Sequence, residues 1–310
     1  MFPSFSTAKL RRGIAFACLS LFALGSADAA TSAAPKTQKG PIAVPFSGGG
    51  RHCLWRVADA KAPVYLLGSI HRMRQNDYPL PPAVEQAIQQ SEQFYFEYDP
   101  RGDTELGKKL VAAAVLPKGV TIKQKVDPKV WSFLIRHSDR RNFGWIGLRA
   151  WAIALFVLEY PVHERISGAY GLDDYIIAKA RARKRPMHGL ETVDQHVNVY
   201  AGMTDLESEV YLLEAIVFAN QTDARYRETI SDWRAGNTDR LYQLEMPDIK
   251  GAEGLNPRFL EVRNVRWIPK IEDAIQSGTP TMIVAGAMHF SGPHSVIGML
   301  RARGHKIEQL

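Results

Sequence analysis

The sequence predicts a mixed α/β fold, in which a central sheet built from two βαβ-like units carries a large helical insertion. Two apolar strands each end in a Gly-x-x-His motif, at Gly68–His71 and at Gly286–His289. A proline-containing loop, a helix and a strand follow each motif. Mostly helical patterns fill the segment between the two units, over about residues 104–278.

The composition of the 310-residue chain is that of a globular protein. Apolar residues make up 45% and charged residues 23%, which excludes a disordered or collagen-like chain. Lys and Arg number 39 against 32 for Asp and Glu, but the excess is scattered, so we expect no nucleic-acid partner. The two cysteines are too few for a disulfide framework or a structural zinc cluster, and Cys53 is predicted to be buried.

The N-terminal segment, residues 1–29, has the pattern of a secretory signal peptide. Three cations precede an apolar run over 13–25, and a small-x-small cleavage site ends at Ala29. The apolar run is short for a membrane span, so we expect an exported protein, periplasmic or secreted, without a stable membrane span after cleavage. An uncleaved anchor is the alternative. Residues 30–50 are predicted to be a flexible lead-in, and residues 51–310 a single domain.

The first elements of the domain follow from apolar runs between turn residues. Leu54–Ala58 and Val64–Gly68 flank the turn residues of Asp59–Pro63, which predicts a β-hairpin. A helix is predicted over Pro82–Gln90, where proline opens an amphipathic pattern. The alternating pattern of Gln93–Tyr98 predicts the next strand.

The middle of the chain shows helical periodicity, and its end returns to strands. The predicted middle helices are Glu105–Val115, Pro128–His137, Leu148–Tyr160, Leu172–Arg183, Val193–Ala201, Asp205–Ala219, Ala224–Ala235 and Arg258–Gln276. One short strand, Pro186–Leu190, interrupts these helices. A buried strand over Thr281–Ala285, a helix over Ser295–Arg303 and a strand over Lys306–Leu310 are predicted to close the domain.

The two Gly-x-x-His motifs predict a site at one edge of the sheet. If their strands pair, His71 and His289 meet at the carboxyl ends of neighbouring strands, where open α/β sheets place their sites. The glycines are expected to let the chain turn sharply there. Glu97 ends the strand after the first crossover and should project toward the same edge. Two imidazoles and a carboxylate can hold a divalent metal such as Mn, Co or Zn, or activate water without a metal.

Other polar residues are candidates for the same edge. Glu191 follows the short middle strand and either reaches the site or caps the next helix. Arg263 is expected to bind a substrate carboxylate, to orient Glu97 through a bidentate pair, or to form a structural salt bridge. His294 is a further ligand candidate, whereas His188 is expected to pack in the fold. The tryptophans on helical or apolar stretches are expected in the core: Trp131, Trp145, Trp151 and Trp267.

Short motifs occur in a characteristic order from Cys53 to the C-terminus. They are Cys53-Leu54-Trp55-Arg56-Val57, Tyr65-Leu66-Leu67-Gly68-Ser69-Ile70-His71, Tyr78-Pro79-Leu80-Pro81, Phe96-Glu97-Tyr98-Asp99, Gly189-Leu190-Glu191-Thr192 with Gln195, Trp233-Arg234-Ala235-Gly236-Asn237, Arg263-Asn264, and Gly286-Ala287-Met288-His289 with Gly292. In this order and spacing the chain resembles the TraB/GumN family, in the wider group of the Tiki proteases and the erythromycin esterases. The resemblance implies a sheet with a helical insertion and a site built from both Gly-x-x-His motifs and the glutamate.

The branches of this group imply different chemistries. Resemblance to the Tiki branch implies metal-dependent proteolysis, and resemblance to the esterase branch implies hydrolysis of a cyclic ester by a histidine-activated water. A haem-binding branch also exists. The sequence therefore predicts an exported hydrolase that acts on a peptide or a small-molecule ester through His71, Glu97 and His289.

Two other functions remain open at this stage. The first is a periplasmic binding or signalling protein without turnover, whose ligand is haem or a cell-surface polymer intermediate. It is motivated by the absence of a complete catalytic signature such as His-Glu-x-x-His. The second is a structural partner in an envelope assembly, in which the apolar stretch around Trp151 is an interface and not part of the core.

Overall fold

The computed structural model describes residues 50–71, 73–137, 144–159, 171–220, 222–245 and 252–310. Within these residues, six strands form one mixed sheet in the order β4-β3-β5-β2-β1-β6. The strands are β1 (Leu54–Val57), β2 (Val64–Ser69), β3 (Gln93–Tyr98), β4 (Met187–Glu191), β5 (Thr281–Gly286) and β6 (Ile307–Gln309). The predicted signal peptide, and the predicted lead-in up to residue 49, lie outside the described residues.

Helices cover most of the remaining described chain. They are α1 (Pro82–Gln90), α2 (Asp103–Ala114), α3 (Pro128–His137), α4 (Ala150–Ala152), α5 (Leu172–Ala182), α6 (Val193–Ala201), α7 (Asp205–Asn220), α8 (Thr222–Arg234), α9 (Thr238–Glu245), α10 (Val262–Gln276) and α11 (Val296–Ala302). Short 3₁₀ helices add single turns at Gln75–Asp77, Pro100–Gly102, Ile122–Gln124 and Ala287–Phe290. No helix of the described residues is long and apolar enough to cross a membrane.

The sheet confirms the predicted α/β class and the pairing of the two units. β2 pairs in parallel with β5, and β5 and β4 both pair in parallel with β3. β1 forms the predicted antiparallel hairpin with β2 and also pairs antiparallel with β6. Because β5 lies between β2 and β3, the crossover through α1 skips one strand. The carboxyl ends of four parallel strands therefore meet at one edge of the sheet.

Two hydrophobic cores hold the described chain together. The first surrounds the sheet, in which every residue of β2 and β5 is buried. The second lies among helices α2, α3, α4 and α7. Trp151 is 1% exposed in this second core and packs against Phe156 and Tyr200, so its side chain offers no surface to another protein. Trp131, expected in the core, is only partly buried.

The helix predicted over Leu148–Tyr160 differs most from the structure. Its first residue, Leu148, forms an isolated antiparallel bridge with Val115, which keeps the backbone extended up to residue 149. The helix therefore begins at Ala150 and continues after one turn as a π-helix over Ile153–Glu159. The predicted last residue lies outside the described residues. The prediction of a buried helix is confirmed for its first half, where residues 150–154 are all buried.

A second difference lies before α10. The helix predicted over Arg258–Gln276 begins as a π-helical turn, Pro257–Glu261, and is a regular α-helix only from Val262. Helix α9 was not predicted, because eight residues with few apolar positions give no clear period. Its Leu241 is nevertheless 1% exposed in the core around the sheet. The other predicted helices and strands are found within two residues of their predicted bounds.

Candidate functional site

Three side chains from parallel strands meet where these strands end. His71 follows β2, Glu97 is the penultimate residue of β3, and His289 lies in the 3₁₀ turn after β5. They surround Gly286: a Cβ there would lie 3.5 Å from Glu97 Oε1, 3.6 Å from His71 Nε2 and 3.8 Å from His289 Cδ2. The structure thus brings together the three residues that the two motifs and the β3 pattern predict.

The glycines of the two motifs permit close approach. Neither has a positive φ. The expected turn at the strand end is found at Gly286, which directly precedes the 3₁₀ turn Ala287–Phe290, whereas Gly68 lies within β2. A Cβ at Gly68 would lie 3.0 Å from the Cα of Ala287, so this glycine lets the two motifs pack against each other. A side chain at Gly286 would project between the three polar residues. The Gly286 N–H also donates a hydrogen bond of 2.9 Å to Glu97 Oε1.

His71 is the open side of the site. Its side chain is 59% exposed, and its Nδ1 lies 2.8 Å from Asp173 Oδ2. The other oxygen of Asp173 accepts a hydrogen bond of 3.0 Å from the hydroxyl of Ser69. A carboxylate partner favours the tautomer in which Nδ1 carries the proton, which leaves a lone pair on the Nε2 that faces Gly286.

His289 is the buried side of the site. It is 3% exposed, its ring packs on that of Trp267 with 4.3 Å between centroids, and its Nδ1 lies 2.6 Å from Asn264 Oδ1. Burial lowers the pKa of His289 to about 3, against the attraction of Glu97, so the imidazole is neutral. Because the amide oxygen only accepts, Nδ1 carries the proton. Nε2 then accepts a hydrogen bond of 3.2 Å from Arg263 Nη1, and Glu97 Oε1 lies 3.7 Å away from it.

Arg263 joins the carboxylates of the site. Its Nη2 donates to Glu97 Oε2 at 2.5 Å and to Glu191 Oε1 at 2.6 Å, while its Nε donates to Glu191 Oε2 at 3.0 Å. The bidentate pair expected with Glu97 is therefore formed with Glu191, and Glu97 receives a single bond. Burial alone would raise the pKa of Glu97, but the charge of Arg263 holds this pKa well below its usual range.

Glu191 reaches the site and does not cap the next helix. It is 3% exposed, and it accepts hydrogen bonds from Trp267 Nε1 at 3.2 Å and from His196 Nδ1 at 2.8 Å. The N-terminus of α6 is capped instead by Thr192, which forms a reciprocal capping box with Gln195. Of the two alternatives predicted for this glutamate, the structure therefore supports the first.

Sequence reasoning missed three residues that contact the site. Asp173 and His196 carried no recognisable pattern, because each meets its partner only through the fold. Trp267 was assigned to the core, which it joins, but it also contacts the site. Its spacing from Arg263 and Asn264, at i, i+1 and i+4 of α10, places all three on one face of the helix. That spacing is the signal that could have found it.

Two of the considered histidines lie outside the site. His294 is 58% exposed on its side chain, and its Nδ1 faces Glu261 Oε1 at 3.5 Å. Its contact with the site is through the backbone, since its carbonyl accepts a hydrogen bond of 2.8 Å from Asn264 Nδ2. His188 packs against the ring of Tyr95 with 4.8 Å between centroids, as expected.

Two sets of side chains have the chemistry of metal ligands. Glu97, Glu191 and His196 place one ligand atom each within 4.8 Å of one another. However, Nη2 of Arg263 lies between them, at 2.5 and 2.6 Å from the carboxylates and 3.4 Å from His196 Nδ1. A guanidinium thus already occupies the position of a cation in this set.

The second set is the predicted one, His71, Glu97 and His289. Its donor types suit a divalent metal, but its three ligand atoms do not all lie within 4.8 Å of one another. Both imidazoles bind a polar partner through Nδ1, Asp173 in one case and Asn264 in the other. Such partners orient histidine ligands and leave Nε2 for a metal. To act as a ligand, His289 would exchange its contact with the arginine for one with the ion.

The site thus consists of two Gly-x-x-His imidazoles at the carboxyl ends of parallel strands of a mixed sheet, with a buried arginine and two glutamates beside His289. The chain belongs to the TraB/PrgY/gumN family, whose model matches residues 53–309. The resemblance drawn from the sequence motifs is therefore confirmed. No curated protein and no solved structure shows significant similarity to the chain.

Proposed function

We propose that this protein is an exported hydrolase that directs a water molecule at a peptide or small-molecule ester bond. The observation that carries the proposal is the convergence of His71 Nε2, Glu97 Oε1 and the His289 ring around Gly286, within 4 Å of one point. Two imidazoles and a carboxylate at an open edge of a sheet are the groups that activate water for attack on a carbonyl.

His71 is suited to accept a proton from the water. Its Nε2 faces the centre of the site, and its exposed side chain leaves room for water and substrate. When Nε2 takes the proton, the carboxylate of Asp173 at Nδ1 stabilises the imidazolium. Ser69 holds this carboxylate through its second oxygen, so the pair keeps its orientation during proton transfer.

Glu97 is suited to a charge-bearing role and not to proton transfer. As a metal ligand or as a general base, Glu97 is better suited to the first role, because a carboxylate held ionised by Arg263 rarely takes up a proton near neutral pH. Its Oε1, bonded to the N–H of Gly286, remains directed at the centre. The carboxylate of Glu97 therefore places a negative charge beside the position that the water or a metal would occupy.

A divalent metal such as Mn, Co or Zn would be held by His71, Glu97 and His289. Bound there, it would acidify water and polarise the substrate carbonyl. The roles of the chain's own residues stay the same in this version. Asp173 and Asn264 keep both rings in the tautomer that offers Nε2, and Arg263 keeps Glu97 ionised.

Elemental analysis of the purified protein, made without a polyhistidine tag and offered Mn, Co and Zn, tests the metal. We expect stoichiometric metal in the wild type and none in the His71→Ala/His289→Ala double variant. His294→Ala is the matched control, since this exposed histidine lies outside the site and should leave the metal content unchanged.

A screen of peptide and ester substrates tests the reaction itself. Folded His71→Ala and His289→Ala variants that hydrolyse a substrate at the wild-type rate would contradict the proposal. Protein that binds no metal but still hydrolyses would support the histidine-activated water. Protein that turns over nothing would favour the binding function, and a haem titration, followed by the Soret shift in wild type and His71→Ala, would come next.

A further inference from the structure

Two side chains of helix α8 contact the chain on either side of His71, and the proposed reaction does not yet use them. Trp233 donates a hydrogen bond of 2.7 Å from its Nε1 to the carbonyl of Gly68, three residues before His71. Tyr226 accepts a hydrogen bond of 2.7 Å at its hydroxyl from the N–H of Arg74, three residues after His71. One helix therefore contacts the backbone both before and after the histidine.

Both contacts are made by residues whose own position is fixed by packing. Tyr226 and Trp233 are seven residues apart, which is close to two helical turns, so they lie on the same face of α8. Both are buried in the core around the sheet. The Tyr226 hydroxyl also donates to the carboxylate of Asp77, and the guanidinium of Arg74 lies over the Tyr226 ring, 4.2 Å from its centroid. These side chains are therefore rigid points of attachment for the chain beside them.

His71 depends on such attachments because its own ring is exposed. The ring of His289 is enclosed by packed side chains, whereas the side chain of His71 is 59% exposed. Helix α5 contacts the His71 side chain through Asp173, and the N–H of Leu172 donates to the carbonyl of Ile70 at 3.1 Å. An exposed side chain takes its position mainly from its backbone. The α8 contacts on both sides of the histidine therefore help to determine where its Nε2 lies.

We propose that Tyr226 and Trp233 are positioning residues of the candidate site, which hold the backbone around His71 so that its Nε2 faces Gly286. The inference rests on the proposed function for its effect on rate, but the positioning itself does not require turnover. It also gives a role to the motif that begins at Trp233. A displacement of about 1 Å can cost an enzyme about 100-fold in rate, although no group that touches the substrate has changed.

The orientation of the His71 ring can be measured without a substrate. Proton–nitrogen NMR correlation spectra at pH 8 report the tautomer of each histidine, and the resonances that disappear in His71→Gln are those of His71. We expect Tyr226→Phe, which removes one hydroxyl, to move these resonances from an Nδ1–H tautomer toward a free imidazole. Trp233→Phe should do the same. Tyr65→Phe is the matched control, because its buried hydroxyl binds Gln90 at the other end of β2.

Kinetics of a hydrolysed substrate would separate positioning from a purely structural role. Tyr226→Phe should lower kcat about tenfold or more and leave KM unchanged, because only the position of a reacting group has changed. Added to His71→Gln, the same substitution should cause no further loss, because Tyr226 acts through the histidine. Equal losses in the presence and in the absence of His71 would overturn the inference.

The NMR spectra decide the inference even if no substrate is found. Unchanged His71 resonances in Tyr226→Phe would overturn it, as would an equal shift in Tyr65→Phe. Trp233 lies in the core, so if Trp233→Phe does not fold, Tyr226→Phe alone decides. A protein that hydrolyses nothing but shows the shift would refute the proposed function and keep the positioning role.

Discussion

The two Gly-x-x-His units share a sequence pattern but place their histidines in opposite surroundings. His71 has a side chain that is 59% exposed and binds a charged partner, Asp173, whereas His289 is 3% exposed and binds a neutral one, Asn264. Both partners hold Nδ1 and leave Nε2 to the site. Both motifs therefore orient the imidazole ring with Nε2 toward the site. The burial of each ring and the charge of its partner then determine which chemical role the ring can take.

Because of this difference in exposure, the two histidines are suited to different chemical roles. An imidazole that is open to water can exchange protons with solvent and substrate, which general base catalysis requires. An imidazole that is buried and neutral keeps a fixed lone pair and a fixed position. The buried unit also includes Arg263 and Glu191, whose charges are compensated within the protein. Variants that affect the two units differently test whether their histidines have these separate roles.

The largest effect is expected on removal of Arg263 from the buried unit. Arg263→Ala leaves the buried carboxylates of Glu97 and Glu191 without their cation, which should lower the free energy of unfolding by about 3–5 kcal/mol. Arg303→Ala, which removes an exposed pair with Glu272, should cost less than about 1 kcal/mol. Urea unfolding at neutral pH measures both, and similar losses would refute the contrast between buried and exposed pairs.

The next effect is a pH dependence of stability that comes from the buried histidine. The pKa of His289 is lowered from 6.5 to about 3 on folding, so its contribution is complete above about pH 6.5 and is lost as the pH falls toward 3. In metal-free protein the slope from this group is about 1.4 kcal/mol per pH unit. Urea unfolding between pH 4 and 7 should show that His289→Gln removes this slope.

His71→Gln is the matched variant of the exposed unit, and it should retain the slope that comes from His289. If both variants flatten the pH dependence equally, the two histidines do not differ in the way that their burial indicates. If neither variant flattens the pH dependence of stability, the imidazole of His289 is charged at low pH within the folded protein.

A smaller effect is expected from the neutral partner of the buried histidine. Asn264→Ala removes the acceptor of the His289 Nδ1–H in a buried place, which should lower the free energy of unfolding by about 1–3 kcal/mol. Asn198→Ala, at an exposed position of α6, should change it by less than about 0.5 kcal/mol. Thermal unfolding followed by circular dichroism measures both variants, and an unchanged Asn264→Ala would show that the ring needs no acceptor.

The sequence carried enough information for the sheet and for the three converging residues. Strand periodicity and the repeated motif depend on neighbours along the chain, so His71, Glu97 and His289 could be placed from local patterns. The partners of these residues could not, because Asp173 contacts His71 across 102 positions and belongs to helix α5. Nor does a sequence show that the bidentate pair of Arg263 is formed with Glu191 and not with Glu97, since that depends on how strands and helix pack.

The smallest effect on stability is expected from the charged partner of the exposed histidine. Asp173→Ala breaks contacts with Ser69 and His71, but because the histidine is exposed, the free energy of unfolding should fall by less than about 1 kcal/mol. The same variant should weaken binding of the proposed metal about 10–100-fold, because such partners orient histidine ligands. Metal titration and urea unfolding of one preparation measure both quantities. A large loss of stability with unchanged metal affinity would show that Asp173 stabilises the fold and does not orient His71 as a metal ligand. The partners of both histidines, Asp173 and Asn264, would then have the same structural role.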